Sequence, residues 1–440
     1  MKNKKWMAIL LGGIMAASLA APCSVSAAEK TTITFWHAMG GTNGEVLQQI
    51  VDDFNASQDE IEIKAEYQGT YDDTITKLKA AMQSESGLPD VCQMYDVGTK
   101  FMYDSGAVIP VEDKFESTGY DKSSVMDVIS SYYTVEGKQY AMPFNVSTPM
   151  LYYNKDVFEA AGLDPETPPT TYDEVLEDAK KIVESGAAPV GYSQAIYGWF
   201  FEQQLAGLGV TYGNNDNGRT EAVTAVDFDS NGGGLKVFDM WKKLYDSGYF
   251  EDYGTTTADT QTAFFSGQVG MFIESTAILK NAVDSSPFEV GTGYLPRIEQ
   301  NDEGGVIIGG GSLWLTDTGN EANEDAAWKF IEYITTPDVQ AKWSMGTGYF
   351  AINEKAYETD DMKAYLEENP NFMTAINQLK DSPVNCNTAG VLSGVQTEAR
   401  LTFNEIMPQV YDGKLTTQDA VDQLAASVNK AIENYNESIK

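Results

Sequence analysis

Pro143-Phe144-Asn145-Val146-Ser147-Thr148-Pro149-Met150-Leu151-Tyr152-Tyr153-Asn154, continued by Lys155-Asp156-Val157-Phe158-Glu159-Ala160-Ala161-Gly162-Leu163-Asp164-Pro165, is the stretch on which the fold turns. Its first part is a polar elbow that offers the hydroxyls of Ser147 and Thr148 between two prolines. Met150 to Tyr153 then reads as a short apolar strand, in which Tyr152 and Tyr153 are expected in the core, with ligand contact as the alternative. Asn154 leads into a short helix that stops at Gly162 with Pro165 close behind, the order of residues that ends a helix. A segment of this kind passes from one lobe of a two-lobed protein to the other and leaves its hydroxyls in the cleft.

Upstream, strand and helix patterns alternate. Thr32 to Trp36 is rich in β-formers, and Val46, Leu47, Ile50, Val51 and Phe54 then share one helical face. Ile61 to Tyr67 is a second strand pattern, followed by a helix with apolar Ile75, Leu78 and Met82, and Val91 to Tyr95 is a third. This rhythm predicts βαβ units and a largely parallel sheet covered by helices. Downstream, helices are expected at Tyr172 to Ser185 and Leu235 to Tyr245, and strands at Val269 to Ile273, Glu289 to Tyr294 and Ser312 to Thr316. Amphipathic helices at 322–335 and 416–435 follow. The polar run 213–219 reads as a surface loop.

The N-terminus carries Lys2, Lys4 and Lys5, an apolar run from Met7 to Ala21 and small residues up to Ala28, the pattern of a secretory signal peptide cleaved after Ala27. The run is too short for a membrane anchor. Cys23 raises lipid anchoring as an alternative, but Pro22 fits a lipoprotein cleavage site poorly. The expected location is secreted, in a periplasm or on the extracytoplasmic face of the cell membrane. Removing residues 1–27, with their three lysines and no acid, takes the formal net charge from −36 to −39. Such a surface repels nucleic acid and anionic lipid. Cys92 and Cys386 are the only other cysteines, so the chain is no disulfide scaffold, and two buried thiols are a simpler expectation than a bridge.

Arginine is scarce: Arg219, Arg297 and Arg400 stand against 26 lysines. Arg400 lies in a moderately apolar stretch where a guanidinium needs a partner. Its planar fork suits a phosphate, and an intrachain salt bridge to a glutamate is the alternative. Ser275 follows the strand at 269–273 and opens a helical pattern, so it is an N-cap, an anion site built with the free first-turn N–H groups, or both. Gly309, Gly310 and Gly311 interrupt a strand pattern, which permits close approach of a ligand or marks a β-bulge. Tyr71 and Tyr349 follow glycine-containing turns and offer hydroxyls. Asp96, at the end of a strand, is placed to accept from a substrate hydroxyl, because ligands in open α/β sheets bind beyond the carboxyl ends of strands. Trp199 either lines a cleft or packs.

An enzyme is the competing class, a secreted hydrolase above all. His37 is the only histidine, which excludes metal sites built on several histidines. It has no Gly-x-Ser-x-Gly elbow to serve, and no phosphate-binding P-loop or dinucleotide fingerprint is present. No catalytic residue, metal or cofactor is expected.

Several landmarks carry a family resemblance: Phe35-Trp36-His37-Ala38-Met39, Tyr67-Gln68-Gly69-Thr70-Tyr71, Tyr95-Asp96-Val97-Gly98-Thr99, the crossing segment, Ile307-Ile308-Gly309-Gly310-Gly311-Ser312-Leu313-Trp314, and Thr347-Gly348-Tyr349. With them the chain resembles the extracellular solute-binding proteins of ABC importers, and among these the branch that binds sn-glycerol 3-phosphate. The resemblance implies an α/β, two-lobed periplasmic-binding-protein fold of type II, with a ligand cleft between lobes joined by a hinge. It implies a first lobe of residues 28–147 plus about 276–325, and a second of 148–275 plus about 326–440. It places the ligand residues on Tyr71, Asp96, Ser147, Ser275, Gly310, Tyr349 and Arg400. It also implies a small-molecule ligand, sn-glycerol 3-phosphate or a glycerophosphodiester, with sugars or oligosaccharides as the alternative. ABC permease subunits are the expected partners of a monomer. Two positions depart from the family pattern. Asp96 replaces a glutamate, and Tyr172 replaces a tryptophan, which implies a weaker cation–π contact to choline and a monoester bound at least as tightly as a choline diester.

Overall fold

The computed structural model describes residues 30–84 and 87–439. The expected signal segment and Cys23 lie outside the described residues. Among the described residues, twelve strands form two main sheets and a hairpin. In chain order they are β1 (Thr31–His37), β2 (Ile61–Tyr67), β3 (Val91–Tyr95), β4 (Val108–Ile109), β5 (Thr134–Val135), β6 (Lys138–Gln139), β7 (Met142–Ser147), β8 (Pro149–Asn154), β9 (Val190–Ser193), β10 (Val269–Ser275), β11 (Val290–Gly293) and β12 (Gly309–Thr316).

The first sheet runs β2-β1-β3-β12-β4 with β7 also paired to β12, and the second runs β11-β8-β10-β9. The sheets are mixed and not largely parallel. β1 runs parallel to β2 and β3, and β9 to β10, but β12 is antiparallel to β3, β4 and β7, and β8 is antiparallel to β10 and β11. The βαβ rhythm of the first hundred residues is real. The antiparallel partner comes from more than two hundred residues downstream, which local periodicity does not register.

Between β7 and β8 stands one residue, Thr148, so the chain passes from the first sheet to the second without a loop. Every residue of both strands is buried. Thr148 N–H donates to Thr276 Oγ1 at 3.1 Å and its carbonyl accepts from Thr276 N at 2.8 Å, which straps the crossing to the end of β10. Gln378 Nε2 adds a 2.7 Å bond to the Pro149 carbonyl. These bonds satisfy backbone groups that a buried crossing would otherwise leave unpaired.

The chain crosses again over residues 294–308, between β11 and β12, and a third time after helix Pro337–Thr347. The expected return segment, 276–325, is therefore divided. β11 pairs with β8 in the second sheet, whereas β12 and the helices Glu321–Ile334 and Pro337–Thr347 belong with the first. Helix Gln396–Tyr411 packs on helices Gly198–Gly207 and Gly233–Asp246 of the second lobe, and helix Thr417–Ser438 packs alongside it.

Local chemistry sets the helix starts. Helices Tyr71–Gln83, Tyr172–Ser185 and Thr417–Ser438 each open on a threonine capping box, with Asp73, Glu174 and Asp419 reaching back, an arrangement that satisfies two first-turn donors. The polar run 213–219 is not a plain surface loop. Asn215, Asp216 and Asn217 all have positive φ, at 56°, 53° and 59°, and Asn217 is buried. Its side chain ties Tyr212 N–H and Gly213 N–H to the Cys386 carbonyl. Cys92, buried in β3, and the half-buried Cys386 are both free thiols.

Candidate functional site

The seven expected ligand residues and Trp199 line one cavity of about 550 Å³ between the lobes. Tyr71 stands at the start of its helix, directly after the Thr70 cap. Asp96 follows the carboxyl end of β3, Ser147 ends β7, Ser275 ends β10, and Gly310 lies at the start of β12. Tyr349 follows the left-handed Gly348 that closes helix Pro337–Thr347, and Arg400 projects from helix Gln396–Tyr411. A second cavity, of about 530 Å³, lies beside the second crossing and is lined by Pro168, Arg297 and Gln378 among others. None of the seven lines it.

The glycines of β12 answer both readings of the sequence. The ladder with β7 shifts register between Gly311 and Ser312, so a bulge is present. Gly310 has φ of +86°, and a Cβ on it would meet the Asn145 carbonyl oxygen at 1.9 Å. A Cβ on Gly309 would meet the Trp199 ring at 2.7 Å, and one on Gly311 would lie 3.0 Å from the Tyr71 hydroxyl. Bare backbone is what lets β12 lie close to β7 and Tyr71 on its own side of the cleft and to Trp199 on the other.

A buried polar relay holds the first-lobe wall. Gln93 Oε1 accepts from Ala38 N at 2.9 Å, Gln93 Nε2 donates to Asn145 Oδ1 at 2.7 Å, and Asn145 Nδ2 donates to the Tyr71 hydroxyl at 2.8 Å. The Tyr71 O–H hydrogen thereby stays available to the cavity. The Tyr71 ring stacks on Tyr95 with centroids 5.0 Å apart. Tyr95 in turn donates to Asp72 Oδ1 at 2.7 Å and shares a hydrogen bond with Thr397 of the second lobe at 2.8 Å. Burial pushes the Tyr71 and Tyr349 phenols above their ordinary range, so both are neutral donors.

Arg400 is 8% exposed and joins the lobes. Its Nε and Nη2 donate to the two carboxylate oxygens of Glu202 at 2.7 Å each, and Nη2 also donates to Asp96 Oδ2 at 2.7 Å. The fork against Glu202 is the bidentate geometry that fixes a guanidinium plane. Sequence reasoning offered phosphate contact or a salt bridge to a glutamate, and the salt bridge is present, with a second carboxylate besides. Burial works to lower the Arg400 pKa, but Asp96 and Glu202 outweigh it and hold the group firmly charged. Nη1 alone among its nitrogens has no hydrogen-bond partner among the described residues.

The end of β10 differs from the expected open anion site. A 3₁₀ turn, Thr276–Ile278, precedes the short helix Leu279–Ser285, and the first donors are in use. Thr276 N–H donates to the Thr148 carbonyl, and Ala277 N–H to Ser275 Oγ at 3.2 Å. Ser275 N–H donates to Glu274 Oε1 at 2.7 Å. A carboxylate of the chain itself thus sits where an anion was expected.

Glu274 is 4% exposed and lines the cavity, and Gln261 Nε2 donates to its other oxygen at 3.0 Å. Burial raises its pKa above the ordinary carboxylate range. Tyr197 joins Trp199 in the same wall, with ring centroids 6.1 Å apart. Tyr172, expected near the cleft, is instead core. It is 2% exposed, its ring stands edge-on to Tyr192, and its hydroxyl accepts from Gln204 Nε2 at 2.8 Å. Tyr152 and Tyr153 are core as expected.

Among the described residues, no helix is long and apolar enough to cross a membrane, and no group of His, Cys, Asp and Glu side chains is arranged to hold a metal ion.

A family model described as bacterial extracellular solute-binding protein matches residues 49–374. The chain is 31% identical to the sn-glycerol-3-phosphate-binding periplasmic protein UgpB of Escherichia coli K12 over 417 residues, covering 93% of this chain and 94% of that protein. Among solved structures it is similar to UgpB of Mycobacterium tuberculosis in complex with glycerophosphocholine, with a TM-score of 0.78 and 21% identity over 93% of this chain and 100% of that one. It is also similar to the cyclic α-maltosyl-1,6-maltose-binding protein of Arthrobacter globiformis, with a TM-score of 0.76 and 26% identity over 92% of this chain and 100% of that one.

Proposed function

Because this chain belongs to the bacterial extracellular solute-binding proteins, the substrate-binding components of ABC importers, we propose that its cleft captures sn-glycerol 3-phosphate or a glycerophosphodiester and hands it to the membrane permease. The observation that carries this reading is the free Nη1 of Arg400 in a cavity that also holds the Tyr71, Ser147 and Tyr349 hydroxyls and the Gly310 backbone. A guanidinium edge with hydroxyl donors around it suits a phosphate oxygen cluster. Asp96, whose second oxygen is not engaged by Arg400, would take a glycerol hydroxyl.

The relative from Escherichia coli supports the ligand class by its name. The crossing at Thr148 supports capture by closure, because residues on both sides of it contribute to one cavity. In this reading the protein works as a monomer outside the cytoplasmic membrane, performs no chemistry and needs no cofactor.

A neutral sugar is the second reading. It is favoured by the matching of Arg400 with two carboxylates, which leaves the cleft no net positive charge, and by the Tyr197 and Trp199 rings as a stacking wall.

A thermal-shift panel tests the choice, since a ligand that binds only the folded state raises the melting temperature with concentration. Glycerol 3-phosphate and glycerophosphodiesters are expected to raise it and maltose to leave it unchanged. A shift with maltose alone would overturn the ligand class.

A further inference from the structure

One guanidinium faces three carboxyl groups in this cleft. Arg400 is matched by Asp96 and Glu202 within hydrogen-bond distance, and Glu274 remains without a cation of its own. Arg400, Asp96 and Glu274 line the same cavity as Tyr197, and Glu202 is held against Arg400 behind it, so the four charges bear on one small, partly desolvated volume, where each unit of charge counts for more than it does in water. We propose that Glu274 is a specificity-determining residue: with the Tyr197 and Trp199 rings it forms a subsite for the positively charged end of a glycerophosphodiester, and it disfavours a phosphate dianion.

This deepens the glycerol-phosphate reading and rests on it. The Glu274 carboxylate occupies the Ser275 N–H, a donor that an anionic ligand would otherwise use. The bonds from Ser275 and Gln261 are neutral, so they orient the carboxylate without cancelling its charge. Aromatic faces next to a carboxylate are the chemistry that recognises a trialkylammonium group, and a cation bound there favours the ionised form that burial alone disfavours. Trp199 is held against the backbone of Gly309, which fixes one wall. The loss of a cation–π partner implied by Tyr172 in place of tryptophan does not bear on this wall, because Tyr172 lies in the core. The monoester, with more negative charge and no cation, meets only the repulsive part of the site.

The experiment is calorimetric titration of the whole mature protein with glycerophosphocholine and with glycerol 3-phosphate, in the wild type, Glu274→Gln and Glu274→Asp. The wild type is expected to bind the choline diester more tightly. Glu274→Gln should shift the affinity ratio toward the monoester by about tenfold or more, as removal of one nearby charge of low screening requires. Glu274→Asp, which keeps the charge, should retain the diester preference. A merely structural role would weaken both ligands alike, and an unchanged ratio in Glu274→Gln would overturn the proposal while both phosphate compounds still bind. Absence of binding by either compound in the wild type would instead overturn the glycerol-phosphate reading, and this proposal with it.

Discussion

Arg400 of the second lobe lies 2.7 Å, Nη2 to Oδ2, from Asp96 of the first, and both side chains are buried. The contact spans the cleft, so the residue proposed to grip a phosphate is also a bond between the lobes. A buried charge of this kind cannot be removed cheaply, because its partners stay behind.

Replacement of Arg400 tests this double role. Arg400→Ala should abolish phosphomonoester binding, at a cost on the order of 2 to 5 kcal/mol for a truncated charge pair. It should also lower unfolding stability by about 3 to 5 kcal/mol, because Asp96 and Glu202 are left buried without a cation. Arg400→Lys should recover part of each. Calorimetry and urea unfolding read the two effects separately, and wild-type affinity in Arg400→Ala would remove the guanidinium from the site.

Asp96 has a narrower role. If its free oxygen takes a glycerol hydroxyl, Asp96→Asn should weaken glycerol 3-phosphate by roughly 1 to 3 kcal/mol, the scale of an impaired charge-assisted bond. Inorganic phosphate, which has no glycerol, should respond little. Equal losses for the two ligands would assign Asp96 to holding Arg400 alone.

The crossing segment, the strands at 61–67 and 91–95 and the helix Tyr172–Ser185 were legible in the sequence, because each carries its own period and its own stop residues. What was not legible depends on distant pairing. β12 makes the first sheet mixed, and nothing local in Gly309–Thr316 says which strands it will join. The site residues placed by family resemblance do come together, but Glu202 and Glu274 escaped notice. Each left a signal: Glu202 follows Trp199-Phe200-Phe201 on a buried helix, and Glu274 ends the apolar run from Val269 to Ile273. A single acid in such surroundings must find a donor or a ligand. Tyr172 was misplaced because a helix N-terminus near a cleft and one facing the core look alike in one dimension.

Gly310 tests how closely β12 must approach its neighbour β7 in the first sheet. Gly310→Ala would place a methyl 1.9 Å from the Asn145 carbonyl oxygen at a φ of +86°. Backbone must move to relieve this, so a loss above about 4 kcal/mol is expected, in the range of the most damaging substitutions. Gly319→Ala, also at positive φ but with open space around its Cβ, should cost only about 1 kcal/mol by the same strain without the clash. Urea unfolding of the pair would contradict the account if the two losses were equal.

His37, at the end of β1, is buried, and its Nδ1 accepts from Met39 N–H at 3.3 Å. Burial lowers its pKa from 6.5 to about 4. The fold therefore favours the neutral ring, so its contribution is present above pH 6.5 and is lost as pH falls toward 4. Relative to His37→Asn, the wild type should lose on the order of 2 to 3 kcal/mol between pH 7 and pH 4. Parallel pH profiles of the urea midpoint would show that the ring does not stay neutral.

Calorimetric titration of the purified mature protein with glycerol 3-phosphate, glycerophosphocholine and maltose tests the central claim most directly. The cleft built around Arg400, Asp96 and the Tyr71, Ser147 and Tyr349 hydroxyls predicts saturable one-to-one heats with the two phosphate compounds and none with maltose. Tight binding of maltose, with no response to either phosphate compound, would contradict it.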